Sequence, residues 1–228
     1  MPFQSLKPVT VYRFGSPGVT QRYFTRLNAS SAQYYQFSSD IVLSGDFEVE
    51  CVFSTDATTG ARTFFGGPSN FVRIGGVNYQ FMINSNYTST TAMATTDGTL
   101  SLLNFRRVGS TGDITDNGVV VDTRTVSTDP FTIGFVGSRG PSGNYFDGYI
   151  ADFKVWSGGD KNSGTLVCDC KIDTDLSTPT IPNDANPLNP LTAINLTSAD
   201  AELFTLNTST TPDQWENSDQ SVILPIGY

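Results

Sequence analysis

Residues Phe146 to Trp156 read FDGYIADFKVW and carry the clearest strand pattern in the chain. A glycine precedes a run rich in β-branched and aromatic residues, and Ala151, Phe153 and Val155 then alternate with more polar neighbours. Alternation with a period of two places one set of side chains on a single face of a strand. The stretch therefore predicts a strand with one buried face, and it places Ala151 on that face.

A second stretch, residues 44–53, shows the same alternation. Its apolar side chains share one face from Phe47 onward, and Asp46, Glu48 and Glu50 share the other. This pattern predicts a half-buried strand. We interpret its acidic face as solvated, because Asp and Glu are rarely buried without partners.

The composition favours an all-β chain of one large domain. The 228 residues suffice to bury a core. No long window repeats apolar residues at helical spacing, whereas short alternating runs and glycine-containing turns recur. One such pair of runs, 71–74 and 79–83, flanks Gly75-Gly76-Val77-Asn78 and predicts a β-hairpin.

The pattern Gly-x-Ile-x-Asp-aromatic-Lys-Val-Trp from Gly148 to Trp156 resembles the closing strand of laminin-G-like and concanavalin-A-like jelly rolls. Residues 34–37 and 44–53 are similar to the opening of the same family, so the resemblance covers residues 31–173. It implies an antiparallel β-sandwich of the jelly-roll type. An N-terminal arm or edge strand, 1–30, would precede it, with a strand at Val9–Phe14.

The remaining residues, 174–228, differ in composition from the rest. Prolines at 179, 182, 187 and 190 stand among Thr, Asn and Asp, and they predict a stiff, solvated linker. Beyond them lie short apolar pieces near 194–196, 203–206 and 222–226, which need a surface to cover them. They either fold back on the sandwich or bind another subunit. For Trp156 and Trp215 we favour packing at a sheet edge or a subunit contact over a sugar platform.

Charge and apolar patterning argue against two classes of partner. A net charge of -9 and a pI near 4.3 would repel nucleic acid and anionic lipid. No run approaches the roughly 18 apolar residues of a membrane span. Met1-Pro2-Phe3-Gln4 lacks the basic start and apolar core of a signal peptide, so we expect synthesis in a host cytoplasm.

The chain offers few nitrogen or sulfur ligands for a metal, and we expect no metal or cofactor. It has no histidine, and its three cysteines, Cys51, Cys168 and Cys170, lack the Cys-x-x-Cys spacing of a tetrahedral site. We expect buried, reduced thiols. The loop with Asp113, Asp116 and Asn117 is rich in oxygen atoms, but it lacks EF-hand spacing and favours a plain acidic turn.

We expect no catalytic residues. Without histidine the chain cannot form a Ser-His-Asp or Cys-His nucleophile. Laminarinase-like enzymes, which share the sandwich, carry Glu-x-Asp-x-x-Glu or Glu-x-Asp-x-Glu on one strand, and this chain has no such run. A glycan-cleaving enzyme stays open as an alternative, because carboxylate pairs can hydrolyse glycosides.

Besides a glycan-cleaving enzyme, the second functional hypothesis is carbohydrate binding without catalysis. Saccharides are held by aromatic rings and by amide and carboxylate groups on loops. Such loops hold six candidate ligand-binding residues: Asn84, Asn86, Tyr87, Asp97, Asn144 and Tyr145.

The segment Ala201–Trp215 resembles the closing segments of some bacteriophage tail and virion-surface proteins. Together the two resemblances imply a non-enzymatic virion structural protein on a bacteriophage surface, tail or head. Its lectin-like domain would contact a cell-surface glycan, and its partners would be other virion proteins and further copies of itself. A purely structural decoration or tail component that binds no sugar is the alternative.

Overall fold

The computed structural model describes residues 21–55, 57, 59–94, 98–141, 143–207, 214–217 and 223–225. Two short 3₁₀ helices lie in this part of the chain, at Ala29–Ser31 and Ser198–Asp200. The strands are β1 Gln21–Leu27, β2 Tyr34–Leu43, β3 Phe47–Ser54, β4 Ala61–Gly67, β5 Asn70–Gly75, β6 Asn78–Ile83, β7 Asn86–Met93, β8 Ser101–Val108, β9 Thr111–Asp116, β10 Val119–Thr125, β11 Phe131–Val136, β12 Gly148–Ser157, β13 Thr165–Lys171, β14 Thr180–Ile181, β15 Leu191–Ile194, β16 Ala201–Asn207, β17 Gln214–Asn217 and β18 Ile223–Pro225.

The strands form two sheets in which neighbours run antiparallel. The larger sheet has the order β10-β9-β8-β3-β12-β1-β16-β17-β18, with β13 also paired to β12. The smaller, eight-stranded sheet has the order β14-β15-β2-β11-β4-β5-β6-β7. The predicted all-β antiparallel sandwich is confirmed, and β5 and β6 form the predicted hairpin.

The core between the sheets is rich in phenylalanine. The Phe53 and Phe64 rings meet edge to face at 4.7 Å, and Phe47 stacks on Phe131 at 5.3 Å. All four side chains are buried. Burying one such ring contributes roughly 1.5–3 kcal/mol, so this layer is a main source of stability.

The strand predicted at this stretch is present as β12 and lies inside the larger sheet, but its alternation is interrupted. Ile150 pairs with Phe53 and Asp152 with Val52, so β12 carries one extra residue opposite β3. This β-bulge shifts the phase of the pleat. Ile150 therefore joins the core with Phe153, whereas Ala151 faces the outer side of the sheet. The prediction that Ala151 shares the core face was wrong.

Gly148 begins β12 at a point where no side chain fits. Its φ is +135°, and a Cβ there would lie 2.1 Å from the carbonyl oxygen of Ser54. Both the backbone angle and the close approach of β3 require glycine. The glycine that marks this strand in the sequence is thus needed for its pairing.

The proline-containing stretch after residue 174 is packed, in contrast to the solvated linker that its composition predicts. Strand β15 pairs with β2, and Ile181 and Leu191 are completely buried in the main core. Asn189 accepts from Ser39 N at 2.9 Å and donates to Ser39 O at 2.9 Å. Prolines here act at turns beside edge strands, where a missing N–H costs little. The division into arm, sandwich and docking segment itself stays a prediction.

The last described strands fold back on the larger sheet. Trp215 of β17 is completely buried in a second apolar cluster on the outer face of that sheet. The Phe24 ring meets Phe204 at 5.1 Å and Trp215 at 5.6 Å. The described parts of these apolar pieces pair with strands of this chain, and contact with another subunit stays a prediction. Trp215 packs, as predicted. The predicted strand at Val9–Phe14 lies outside the described residues.

Candidate functional site

A glycine-rich loop, described at residues 137–141 and 143–147, leaves the end of β11 and contacts the outer face of the eight-stranded sheet. Its ends close on each other, because Phe146 N donates to Gly137 O at 2.8 Å. Thr63 N of β4 donates to Asn144 O at 3.0 Å, and Arg139 Nη2 donates to Pro68 O at 3.0 Å. The loop is therefore held against β4 and the turn that follows it.

Aromatic side chains collect under this loop. Tyr34 and Phe71 alternate with core residues of their strands and face outward. The Tyr34 ring stacks on Tyr145 at 5.9 Å and meets Phe135 edge to face at 5.9 Å. The Arg139 guanidinium lies over Phe71, 5.0 Å from the ring centroid. We call this surface, formed by Tyr34, Phe71, Phe135, Arg139 and Tyr145, the loop face.

The loop face combines buried and accessible rings. Tyr34 and Phe71 are buried, whereas Phe135, Arg139 and Tyr145 are half-buried. Burial, together with the neighbouring Tyr145 hydroxyl, raises the pKa of Tyr34, so this phenol stays a neutral hydrogen-bonding group at physiological pH. The Tyr145 hydroxyl donates to Pro141 O at 2.6 Å and thereby fixes the ring against the loop.

Two of the six predicted ligand-binding residues lie at the loop face. Tyr145 is one of its rings. Asn144 precedes it with φ of +56°, a left-handed conformation that Asn tolerates. Its carbonyl binds β4, as described above, and it is half-buried. Whether either residue binds a ligand stays a prediction.

Of the other four predicted residues, Asn84 lies at a turn that has hydrogen bonds of its own. Asn84 N donates to the Asn70 side chain at 3.0 Å, and Asn84 Nδ2 donates to Asp129 at 3.0 Å. Hydrogen bonds from Ser127 and Asn84 hold the pKa of the Asp129 carboxyl below its usual value. This turn is thus organised around Asp129. Asn86 is exposed at the start of β7, next to Tyr87, whose backbone pairs with Met82. Asp97 lies outside the described residues.

Sequence reasoning did not select the remaining members of the loop face. The alternation in β2 could have identified Tyr34, since Tyr35 and Phe37 share the opposite face. Phe135 is harder to assign, because the pairing of β11 with β2 shifts register between Ile133 and Phe135. No local pattern brings Arg139 to Phe71.

The acidic face of β3 is covered, which contradicts its interpretation as solvated. Glu48 is 5% exposed, and the Asn104 side chain donates to Glu48 at 2.5 Å and to Glu50 at 3.1 Å. Lys161 donates its N–H to Glu48 at 3.0 Å and its Nζ to Glu50 at 2.8 Å. Asn104 lies on the neighbouring strand β8, and the segment that contains Lys161 folds over the sheet and supplies the other partners. In this arrangement both carboxylates brace a loop.

Polar side chains of β9 and of the turn that follows it bind other residues of this chain. Asp113 pairs with Arg106 at 2.7 Å, Asp116 accepts from the Tyr79 hydroxyl at 2.7 Å, and the Asn117 side chain accepts from Leu102 N at 2.8 Å. Among the described residues, no group of three or more acidic or cysteine side chains is placed to hold a metal ion.

The cysteines are buried thiols. Cys51, Cys168 and Cys170 are free, and the sulfur atoms of Cys168 and Cys170 lie 3.6 Å apart. Burial raises the pKa of Cys51, and the hydrogen bond with Cys170, followed by burial, raises that of Cys168. Both groups are therefore poor nucleophiles and poor metal ligands at neutral pH. No helix in the described part of the chain has the length and apolar character of a membrane span.

The chain matches no family model and no curated protein sequence. Its structure is similar to that of a Bacteroides ovatus ATCC 8483 protein to which carbohydrate binding is attributed. The TM-score is 0.61 at 14% identity, over 82% of this chain and 60% of that one. This chain therefore spans less than two thirds of that structure.

Two further matches have lower TM-scores. The LG1-3 region of the laminin alpha2 chain has 0.47 at 12% identity, over 59% of this chain and 26% of that one. Tailspike protein 2 of Escherichia coli O157:H7 bacteriophage CAB120 has 0.35 at 9% identity, over 60% of this chain and 26% of that one. The two-sheet architecture and the Bacteroides ovatus match agree with the resemblance that residues 34–53 and 148–156 carry. The chain has the laminin-G-like, concanavalin-A-like jelly-roll fold.

Proposed function

We propose that this chain is a non-enzymatic glycan-binding module and that the loop face holds the saccharide. The observation that carries the proposal is the group of aromatic rings under the glycine-rich loop, where half-buried Phe135 and Tyr145 flank buried Tyr34. Aromatic rings offer flat apolar surfaces to the C–H faces of sugar rings, and adjacent polar groups orient the hydroxyls.

The loop face is preorganised for such a role. Tyr145 is held by its stack on Tyr34 and by its hydroxyl bond to Pro141, so little side-chain entropy is lost when a ligand binds. Its neighbour Asn144 supplies an amide side chain on the same loop. The Bacteroides ovatus structure shares the fold, and carbohydrate binding is attributed to it, so saccharides are the first ligands to test.

Binding of the purified chain to a glycan array tests this proposal. Tyr145→Ala should weaken binding of any saccharide that the native protein retains by roughly tenfold or more, as expected for an aromatic anchor. Tyr23→Ala is the matched control, because Tyr23 is a half-buried tyrosine on β1 of the other sheet. The proposal is overturned if no saccharide binds, or if Tyr145→Ala binds as the native protein does.

The absence of catalysis is part of the proposal. A glycosidase needs an acid and a base or nucleophile facing a substrate groove. Glu48 and Glu50 instead share Asn104 and Lys161 as partners, and Glu48 is buried. Incubation with the bound saccharides should release no reducing ends. Release that disappears in Glu48→Gln or Glu50→Gln would establish the enzyme alternative.

We extend the proposal to a virion setting on a bacteriophage surface, tail or head, where the chain contacts other virion proteins and further copies of itself. Its support is the sequence resemblance of residues 201–215 together with exposed apolar side chains on the edge strand β10. Val119 is 64% exposed and Val120 is 57% exposed. Detection of the chain in purified particles by mass spectrometry, and light scattering of the purified protein, test the two parts. Presence in particles with no saccharide binding would favour a purely structural component.

A further inference from the structure

Two arginine side chains flank one ring of the loop face. The Arg73 guanidinium lies 4.7 Å from the Phe71 ring centroid, and the Arg139 guanidinium lies 5.0 Å from the same centroid. Arg73 comes from β5 and Arg139 from the glycine-rich loop. Contact with an aromatic ring removes water from part of each guanidinium and fixes its orientation.

Arg139 differs from other arginines of this acidic chain in its partners. Arg22, Arg106 and Arg124 each lie within 3.1 Å of an aspartate carboxylate. Arg139 forms no ion pair within the described part of the chain; its partners there are the Phe71 ring and the carbonyl oxygen of Pro68. Its positive charge is therefore not neutralised by a neighbouring described carboxylate.

Two carboxylates next to β11, those of Asp129 and Asp40, lie beside groups other than Arg139. Asp129 accepts from Asn84 and Ser127 at the adjoining turn, and Asp40 lies beside Gly134 on the outer face of the sheet. The net charge of -9 acts over the whole molecule, but salt screens charges more than about 8 Å apart at physiological ionic strength. Arg73 and Arg139, which contact the Phe71 ring, therefore act on a ligand there at shorter range than the net charge does.

We infer that the loop face selects saccharides that carry a carboxylate, such as uronic acid units, with Arg139 as the residue that binds the carboxylate. This inference rests on the proposed glycan-binding function and adds the class of ligand. A guanidinium forms two parallel hydrogen bonds to a planar carboxylate, and these charge-assisted bonds are stronger than those to a neutral hydroxyl. Among the described residues Arg139 uses Nε and Nη2 on the Pro68 carbonyl, which leaves the Nη1–Nη2 edge of the guanidinium for two parallel hydrogen bonds to a carboxylate.

The test compares acidic polysaccharides with their neutral derivatives. Polygalacturonate, alginate and hyaluronate are immobilised beside the same polymers converted to methyl esters, which keep the sugar rings and lose the charge. The native protein should bind at least one free acid roughly tenfold more tightly than its ester. Arg139→Gln should remove this preference, whereas Arg139→Lys, which keeps the charge but loses the planar fork, should retain part of it.

Arg124→Gln serves as the matched control, because Arg124 is an exposed arginine paired with Asp122 on β10 of the other sheet. It should bind as the native protein does. An unchanged melting temperature shows that Arg139→Gln folds. Equal binding of acids and esters overturns the inference and leaves the glycan-binding function standing. If the protein binds none of these polymers and no glycan on the array, both the inference and the glycan-binding function are overturned. A preference for the free acid that survives Arg139→Gln overturns the role of Arg139.

Discussion

The ring of Tyr145 stacks on the ring of Tyr34, with centroids 5.9 Å apart and an interplanar angle of 26°. This contact joins the glycine-rich loop to β2, 111 positions earlier by the difference between residue numbers 145 and 34. It fixes an otherwise irregular loop on the sheet, so the position of the candidate site depends on two distant aromatic residues.

The hydrogen bond that tethers the Tyr145 hydroxyl to Pro141 O can be tested separately from the stacking of the Tyr145 ring on Tyr34. Tyr145→Phe keeps the ring but removes the bond to Pro141 O. Because a hydrogen bond of this kind contributes about 1 kcal/mol net, we expect a small loss in the free energy of unfolding. Amide hydrogen exchange of residues 137–146 should become faster. Unchanged exchange throughout the loop would contradict the tether.

Stability should fall in alkaline solution. Burial raises the pKa of Tyr35, and burial together with Tyr145 raises that of Tyr34, whereas both phenols in the unfolded chain titrate near 10. Above pH 10 the native state thus binds more protons than the unfolded state, so the free energy of unfolding decreases as pH rises. Urea denaturation at pH 8 to 11 measures this slope. Tyr35→Phe should reduce the slope, and a slope that it leaves unchanged would rule out a contribution from Tyr35.

Gly148→Ala should destabilise the protein by roughly 3 kcal/mol or more, because a Cβ would meet the Ser54 carbonyl at 2.1 Å and φ is +135°. The control is Gly45→Ala, whose Cβ would have no heavy atom within 4 Å. That change should be close to neutral. Thermal unfolding of the two variants gives the comparison. Similar losses of stability in both variants would show that the close approach of β12 and β3 does not require glycine at position 148.

Glu48→Ala should cost about 1–3 kcal/mol, since the Asn104 side chain and the Lys161 N–H would both lose a buried acceptor. Asp184→Ala removes an exposed carboxylate that is paired with exposed Lys171. We expect its effect to stay within about 0.5 kcal/mol. Equilibrium denaturation of both variants tests whether the covered acidic face is structural. Equal losses of stability in the two variants would mean that the contacts of Glu48 with the segment containing Lys161 do not stabilise the protein.

Deletion of residues 174–228 should unfold or aggregate the protein rather than release a stable sandwich. The deletion removes β15 from its pairing with β2, and it removes Leu191, Phe204 and Trp215, which are completely buried. Losing a single buried aromatic ring already costs about 3–5 kcal/mol. Solubility and circular dichroism of the truncated chain provide the measurement. A folded, soluble product would restore the linker interpretation of this segment.

The sequence by itself determined the elements that depend on local alternation. The strands at 47–54 and 148–157, the hairpin near Gly76 and the all-β class follow from a two-residue period and from turn residues, which are short-range properties. The jelly-roll resemblance rests on the same strands.

Only the tertiary structure decided what depends on contacts between distant residues. A bulge opposite β3 moved Ala151 to the outer face, pairing with β2 turned a proline-containing stretch into a sheet edge, and the segment containing Lys161 covered Glu48. The meeting of Tyr34 with Tyr145, and of Arg139 with Phe71, likewise has no local signal. Period and composition report the surroundings of a residue along the chain, whereas burial and site geometry are set by whichever segment packs against it.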